Sequence, residues 1–168
     1  RFNVSSLEEF STTSKIGNPF TTKSSFDKFI FAYESDNWVK LYKPLDEKKY
    51  KFQYLGTKAQ GFIFGWKQLP VSGELLIITG GEKDVMTLAA KGFNAITLNS
   101  ETATLPKSIV DELKLRFKTI LVLYDNDETG LKQSNILAVA HGLHRLVLPT
   151  LQNNGKDISD YFANGETI

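Results

Sequence analysis

The chain has 168 residues, 41% hydrophobic and 23% charged, with a net charge of +1, which leaves room for one ordinary domain or two small ones with packed cores. It contains no cysteine, which excludes a disulfide framework and a cysteine-ligated zinc site and fits a reducing, cytoplasmic setting. No apolar run approaches the roughly 20 residues that cross a bilayer, no secretory signal opens the chain, and Arg1 rather than Met stands first, as in a segment of a longer protein.

Charge divides the chain in two. Residues 1–72 hold eleven Lys and Arg against seven Asp and Glu, a net +4; residues 73–168 hold nine against twelve, a net −3. Such a division suits a site that grips a nucleic-acid backbone with cations and a metal with carboxylates. It also falls within ordinary surface variation.

In chain order, residues 1–26 are rich in Ser and Thr, contain Gly17 and Pro19, and are expected to be irregular. Residues 29–65 carry four aromatic-rich runs, KFIFAYE, NWVKLYKP, KKYKFQYL and GFIFGW. Turn formers separate them, which predicts a small antiparallel sheet. Its aromatic residues are expected to face inward and its lysines outward. Pro70 to Glu74 reads as a linker, so the domains are expected at 1–72 and 73–168.

From Leu75 the rhythm becomes strand, helix, strand, helix. Leu75–Thr79, Ala95–Leu98, Thr119–Tyr124 and Arg145–Leu148 are predicted strands. Glu82–Lys91, stopped by Gly92, Pro106–Phe117, Glu128–His141, stopped by Gly142, and Asp157–Phe162 are predicted helices. The fold class is therefore α/β: a parallel sheet flanked by helices, preceded by an antiparallel β-rich subdomain. In such sheets ligands bind beyond the carboxyl ends of the strands, where Gly80, Asn99, Asp125 and Pro149 fall.

The most informative chemistry is Asp125-Asn126-Asp127 directly after the most apolar strand. Side chains at i and i+2 share a face, so both carboxylates can converge on one point. Left without a cation they repel, and one pKa rises. Oxygen-only ligation suits Mg²⁺ or Mn²⁺. Asp84, in the first turn of a helix after Gly80-Gly81, and Asp157, in GKDISDYF, are further candidates. Each has a structural role open to it, as partner of a helix dipole or as N-cap. Glu101 follows another strand end. The site depends on these acids forming one pocket for hard cations instead of pairing with nearby lysine or arginine. Other chemistry lacks its motif: there is no GxxxxGK[ST] loop, no HExxH and no GxSxG, and the two histidines, His141 and His144, flank a helix stop.

Leu75–Asp127 resembles the TOPRIM domain shared by DnaG-type primases, topoisomerases and some nucleases. LVLYDNDETG matches its DxDxxG strand end in full, and KDISDYF is similar to the Lys-Asp segment after the last strand in phage-type primases. Upstream, WVKLYKP, KKYKFQYLG and FIFGWKQLP resemble, in order, the small basic subdomain that precedes TOPRIM in phage helicase-primases and Twinkle-type proteins. The likeness runs roughly from Phe29 to Phe162. It implies a DNA primase, a nucleotidyltransferase of DNA replication that joins ribonucleotides on single-stranded DNA. On this resemblance Asp125 and Asp127, with Asp84 and Asp157, hold Mg²⁺ or Mn²⁺. Lys40, Lys43, Lys49, Lys51, Lys58 and Lys83 would lie along template and nucleotide. A replicative helicase is an expected partner and a membrane is not. One position departs: the family's Glu aligns with Gly80. Glu82 could swing in, Glu101 could substitute, or catalysis could be lost. The rival readings are a degenerate nucleic-acid-binding module of a replication protein and a TOPRIM nuclease; the basic aromatic subdomain upstream argues against the nuclease.

Overall fold

The structure is a computed structural model that describes residues 2–14, 16–57, 59, 61–151 and 155–167. The chain divides into two compact units, residues 1–60 and 61–168, so the division falls before the boundary expected at residue 72.

The first unit is not irregular at its start. β1 (Val4–Ser6), β2 (Glu9–Thr13) and β3 (Pro19–Lys23) are strands, and β2 and β3 form a two-stranded hairpin. Thr is β-branched and suits a pleated strand. The Ser11 and Thr21 hydroxyls meet at 2.8 Å across the pair, and Lys23 reaches Glu9 at 3.3 Å. The turn closes through the Asn18 carbonyl, which accepts from the Ser14 N–H at 2.8 Å. β4 (Phe31–Ser35), β5 (Trp38–Tyr42) and β6 (Phe52–Gly56) complete a four-stranded sheet of order β1-β4-β5-β6, antiparallel throughout. Asp36-Asn37 is a two-residue hairpin loop, since Ser35 pairs with Trp38.

The faces of this sheet meet the expectation only in part. Ala32 and Leu41 pack with Phe10, Ile30, Val39 and Leu55 to form the core. The alternate positions put Phe31, Tyr33, Trp38, Lys40, Tyr42, Phe52 and Tyr54 on the other face. Tyr42 stacks on Phe52 with centroids 5.1 Å apart, and Phe52 and Tyr54 stay 50% and 39% exposed. This second face is covered too: Tyr33, Trp38 and Lys40 are buried on it, and Phe52 and Tyr54 of β6 are left partly open.

In the second unit, β7 (Ile63–Phe64) corrects a further expectation. GFIFGW does not join the first sheet; β7 runs antiparallel to β9 (Asn94–Leu98) at the edge of a five-stranded sheet. That sheet also contains β8 (Gly73–Thr79), β10 (Phe117–Leu123) and β11 (His144–Arg145), in the order β11-β10-β8-β9-β7. The pairs β10-β11, β10-β8 and β8-β9 are parallel, as continuous apolar runs predict. The intervening helices are α1 (Glu82–Ala90), α2 (Lys107–Arg116), α3 (Glu128–His141) and α4 (Ile158–Ala163). Leu76, Ile78, Ile96, Ile120 and Val122 of the sheet form the core with Val110 and Leu113 of α2 and Leu137 and Ala138 of α3. Helix α1 packs on β9 and α4. β11 is shorter than the expected Arg145–Leu148 and starts one residue earlier; the Arg145 guanidinium reaches α3, where Nε donates to Ser134 Oγ at 2.9 Å and Nη2 to the Leu131 carbonyl at 3.0 Å. No described helix is long and apolar enough to cross a membrane.

Candidate active site

Three parallel strands end on one edge, and each hands over to acids. β8 leads through Gly80-Gly81 into α1, whose first turn carries Glu82 and Asp84, both buried. β9 leads to Asn99, Ser100 and Glu101. β10 leads to Tyr124, Asp125 and Asp127, the N-cap of α3. The segment before α4 is tied to the same edge by Asn126, whose N–H donates to the Lys156 carbonyl at 2.6 Å and whose side-chain amide donates to the Leu148 carbonyl at 3.1 Å.

Asp125 and Asp127 do converge on one point, and a lysine holds it. Lys156 Nζ lies 2.7 Å from Asp125 Oδ2 and 2.6 Å from Asp127 Oδ2. The other oxygen of Asp127 accepts from the Gly130 N–H at 2.9 Å. That bond first, and Lys156 second, hold Asp127 below the ordinary carboxylate range. Burial pushes Asp125 the other way, against the pull of Lys156. Burial opposes the charge on Lys156, but its bonds to Asp125 and Asp127 outweigh that, and its pKa rises. Glu101 is pushed up to about 7, first by burial, then by Asp125 and Asp127.

A second ion-paired group lies beside α1 and α4. Lys83 Nζ is 2.6 Å from Asp157 Oδ2, 3.9 Å from Asp84 Oδ1 and 4.0 Å from Asp160 Oδ1. Ser159 Oγ donates to Asp84 Oδ1 at 2.6 Å. Asp84 is driven up to about 7 by burial and then by Asp157. Asp157 is an N-cap, as its alternative role had it: Oδ1 accepts from the Asp160 N–H at 2.8 Å, in a capping box with Asp160.

The acids therefore gather at one edge, but Lys156 and Lys83 pair with them, the outcome that the sequence reading set against a pocket for hard cations. Partly buried carboxylates this close need a counter-charge, and Lys156 and Lys83 supply it. Neither Lys156 as a cation between the aspartates nor Ser159 was identified. The signal for Lys156 was its place next to Asp157 in KDISDYF. Lys83, expected along nucleic acid, is engaged with acids instead. Lys40 is buried rather than outward, with Nζ 4.5 Å above the Phe52 ring centroid, because β5 alternation sets it between Trp38 and Tyr42. Lys43 pairs with Asp46 at 3.2 Å, and Lys49 pairs with Glu47 at 3.4 Å and covers the Tyr50 ring. Lys51 follows the short 3-10 turn Lys48–Tyr50 and pairs with no acid among the described residues. Lys58 lies outside the described residues.

The donor set at Asp125 and Asp127 is all oxygen, the ligand chemistry of Mg²⁺ or Mn²⁺, and the positive centre that it holds here is Lys156 Nζ. Among the described residues no three Asp, Glu or His side chains surround one point. Asp157 therefore does not join this pair as a third ligand; both its oxygens are committed to α4 and Lys83.

The raised carboxyls set a pH dependence. Asp84 and Glu101 titrate near 7 folded, against ordinary values of 3.8 and 4.5. Between those limits the folded chain binds more protons than the unfolded one, so stability falls as pH rises through the window and levels off above it. In EDTA, the melting temperature is expected to drop by several degrees from pH 5 to pH 8. The double variant Asp84→Asn, Glu101→Gln should flatten that slope in calorimetry; an unchanged slope would assign it elsewhere.

With the geometry in hand, the fold is that of the catalytic cores of DNA primases. Against the crystal structure of the bacteriophage T7 primase fragment the TM-score is 0.57 at 21% identity, over 85% of this chain and 62% of that one. Against the DnaG primase catalytic domain bound to single-stranded DNA it is 0.63 at 16% identity, over 94% and 54%. Against the zinc-binding and RNA polymerase domains of the Aquifex aeolicus primase it is 0.59 at 17% identity, over 94% and 41%. The chain thus spans between about two fifths and three fifths of these relatives. No family model and no curated protein matches it.

Proposed function

We propose that this chain is a primase-like catalytic core of the TOPRIM type, which joins ribonucleotides into primers on single-stranded DNA with Mg²⁺ or Mn²⁺. One observation carries the reading: Asp125 and Asp127 each bring an oxygen to within 2.7 and 2.6 Å of a single positive centre, at the strand-end edge of a primase-like sheet. Lys156 has a flexible four-carbon stem and a side chain 49% exposed, so it can withdraw into water and yield its place. A divalent ion bound there would offset the charge of a nucleoside triphosphate and assist loss of the proton from an attacking 3′ hydroxyl.

The chain's own residues do the remaining work. Asp125 and Asp127 hold the positive centre at a fixed distance from the sheet. In the first unit, Lys51 offers charge to a phosphate backbone, and Phe52 and Tyr54 offer exposed rings for bases to stack on, contacts that read no sequence. Because the chain covers only part of its relatives, a replicative helicase and a zinc-binding module belong to the proposal as partners beyond these residues.

The test is direct. The chain is incubated with single-stranded DNA and labelled ribonucleotides under Mg²⁺ or Mn²⁺. Labelled oligoribonucleotides that vanish with EDTA, or without template, are the expected result. Retained DNA with no label under either ion would make the chain a binding module, and nicking of plasmid without nucleotides would make it a nuclease.

A further inference from the structure

Residues 155–163, which include Lys156 and α4, are held to the strand-end edge mostly by polar contacts. On the β10 side the Asn126 N–H donates to the Lys156 carbonyl at 2.6 Å, and Lys156 Nζ lies 2.7 and 2.6 Å from Asp125 and Asp127. On the α1 side Lys83 Nζ lies 2.6 Å from Asp157, and Ser159 Oγ donates to Asp84 at 2.6 Å and meets Thr87 Oγ1 at 2.9 Å. Ile158 is the one buried side chain of α4.

The same segment is tied to itself. Asp157 and Asp160 form the capping box of α4, the Lys156 N–H donates to Asp160 Oδ2 at 2.9 Å, and the Tyr161 N–H donates to the Asp157 carbonyl at 3.0 Å. These bonds survive when the outer ones break, so the segment can leave as one piece. The outer ones break at little cost. The side chains of Lys156 and Lys83 are 49% and 41% exposed, so water competes for each pair and takes up the charges when they part. Parts of a fold with few buried apolar contacts open below the free energy of global unfolding. β8 and β10, by contrast, carry Leu76, Ile78 and Val122 with no exposure at all.

We propose that residues 155–163 are a strap that lifts from the strand ends as one unit, drawing Lys156 out from between Asp125 and Asp127 and opening the edge that a substrate must reach. That the edge serves a substrate rests on the reading of it as a primase site; the strap itself does not. Closed, the strap keeps the two aspartates neutralised by a group of the chain's own. Open, it leaves both carboxylates facing water. Lys83 and Lys156, on opposite sides, thus act on one element and not as separate ion pairs.

Backbone hydrogen exchange of the full chain, read by NMR, tests the strap without reference to activity. Asn126 is the reporter, because its N–H lies outside α4 and is bonded to the segment that carries it. Tyr161, Asn164 and Asn126 are expected to exchange together, at least about a hundredfold faster than the amides of β8 and β10. Lys83→Gln, on the side away from Asn126, should speed exchange at Asn126 about fivefold, the scale of one such pair. Cysteine in place of both Thr87 and Ser159, in a chain that has no other, allows a disulfide across hydroxyls now 2.9 Å apart. The oxidised double variant is expected to make at least about tenfold less primer than the same protein reduced, since a strap tied to α1 cannot lift.

Asn126 exchanging with β10 instead of with α4, or exchange there unchanged in Lys83→Gln, overturns the strap. Equal synthesis by the oxidised and reduced forms overturns the gating. Concerted exchange in a parent chain that makes no primer upholds the strap and removes only the primase reading.

Discussion

Asparagine in place of Asp125 is expected to lower primer synthesis at least about a thousandfold while the fold persists. The expectation follows from position and charge together. Asp125 is the one acid that meets both halves of the pocket: Oδ2 is 2.7 Å from Lys156 Nζ, and Oδ1 faces Gly80 beside Glu101. Its charge also enters the electrostatics of Asp84 and Glu101. Asparagine keeps the shape, the contact over Gly80 and one acceptor, and deletes the charge. Without it a divalent ion at Asp127 faces half the negative charge, and electrostatic stabilisation of developing charge is commonly the largest single part of catalysis. Asp127→Asn is the companion experiment: asparagine caps a helix about as well as aspartate and keeps an acceptor for the Gly130 N–H, so it too deletes charge with little change at the start of α3. Label incorporation decides the matter, with circular dichroism to confirm folding. Synthesis within tenfold of the parent would remove Asp125 from the site.

The parts of this molecule that were legible in its sequence are the local ones. β8, β10 and α3 follow from uninterrupted apolar runs and from Gly142, whose φ of 59° ends α3 in the left-handed region. The two aspartates after β10 were legible because a strand fixes the relative direction of side chains two residues apart. What stayed hidden is what depends on distant pairing. GFIFGW looks like one more strand of the first sheet, and nothing within it reveals that Ile63 pairs with Leu98. Alternation in WVKLY divides residues between two faces without saying how deeply each is covered, so Lys40, expected outward, lies buried beside Trp38. Lys83 and Asp157 are 74 positions apart; no pattern along the chain ties such a pair together. At Gly80 the sequence left Glu82, Glu101 and loss all open, and only the fold shows that Glu101 Oε1 and Asp125 Oδ1 crowd the space of a side chain there.

Alanine at Gly130 tests a different part of the motif, and there two physical arguments disagree in sign. Gly130 lies in the first turn of α3 and has no positive φ. On helix propensity, Gly→Ala in a helix interior stabilises by up to about 1 kcal/mol. Close approach argues the reverse. A Cβ on Gly130 would fall 2.9 Å from both the backbone nitrogen and the carbonyl carbon of Asp125, and closer still to its carbonyl oxygen. These are main-chain atoms at the end of a central strand and cannot turn aside as Glu101 could at Gly80. The Gly130 N–H is also committed to Asp127 Oδ1 at 2.9 Å, so the helix cannot back away without breaking its own cap. Overpacking of this kind costs about 1–3 kcal/mol, and against backbone the upper end applies. The expected result is a melting temperature lower by about 5–10 °C, together with loss of primer synthesis as Asp125 and Asp127 are pushed out of register with each other. A melting temperature equal to or above that of the parent would mean that propensity wins, and that the glycine of DNDETG is not there to let α3 close against the strand that carries the acids.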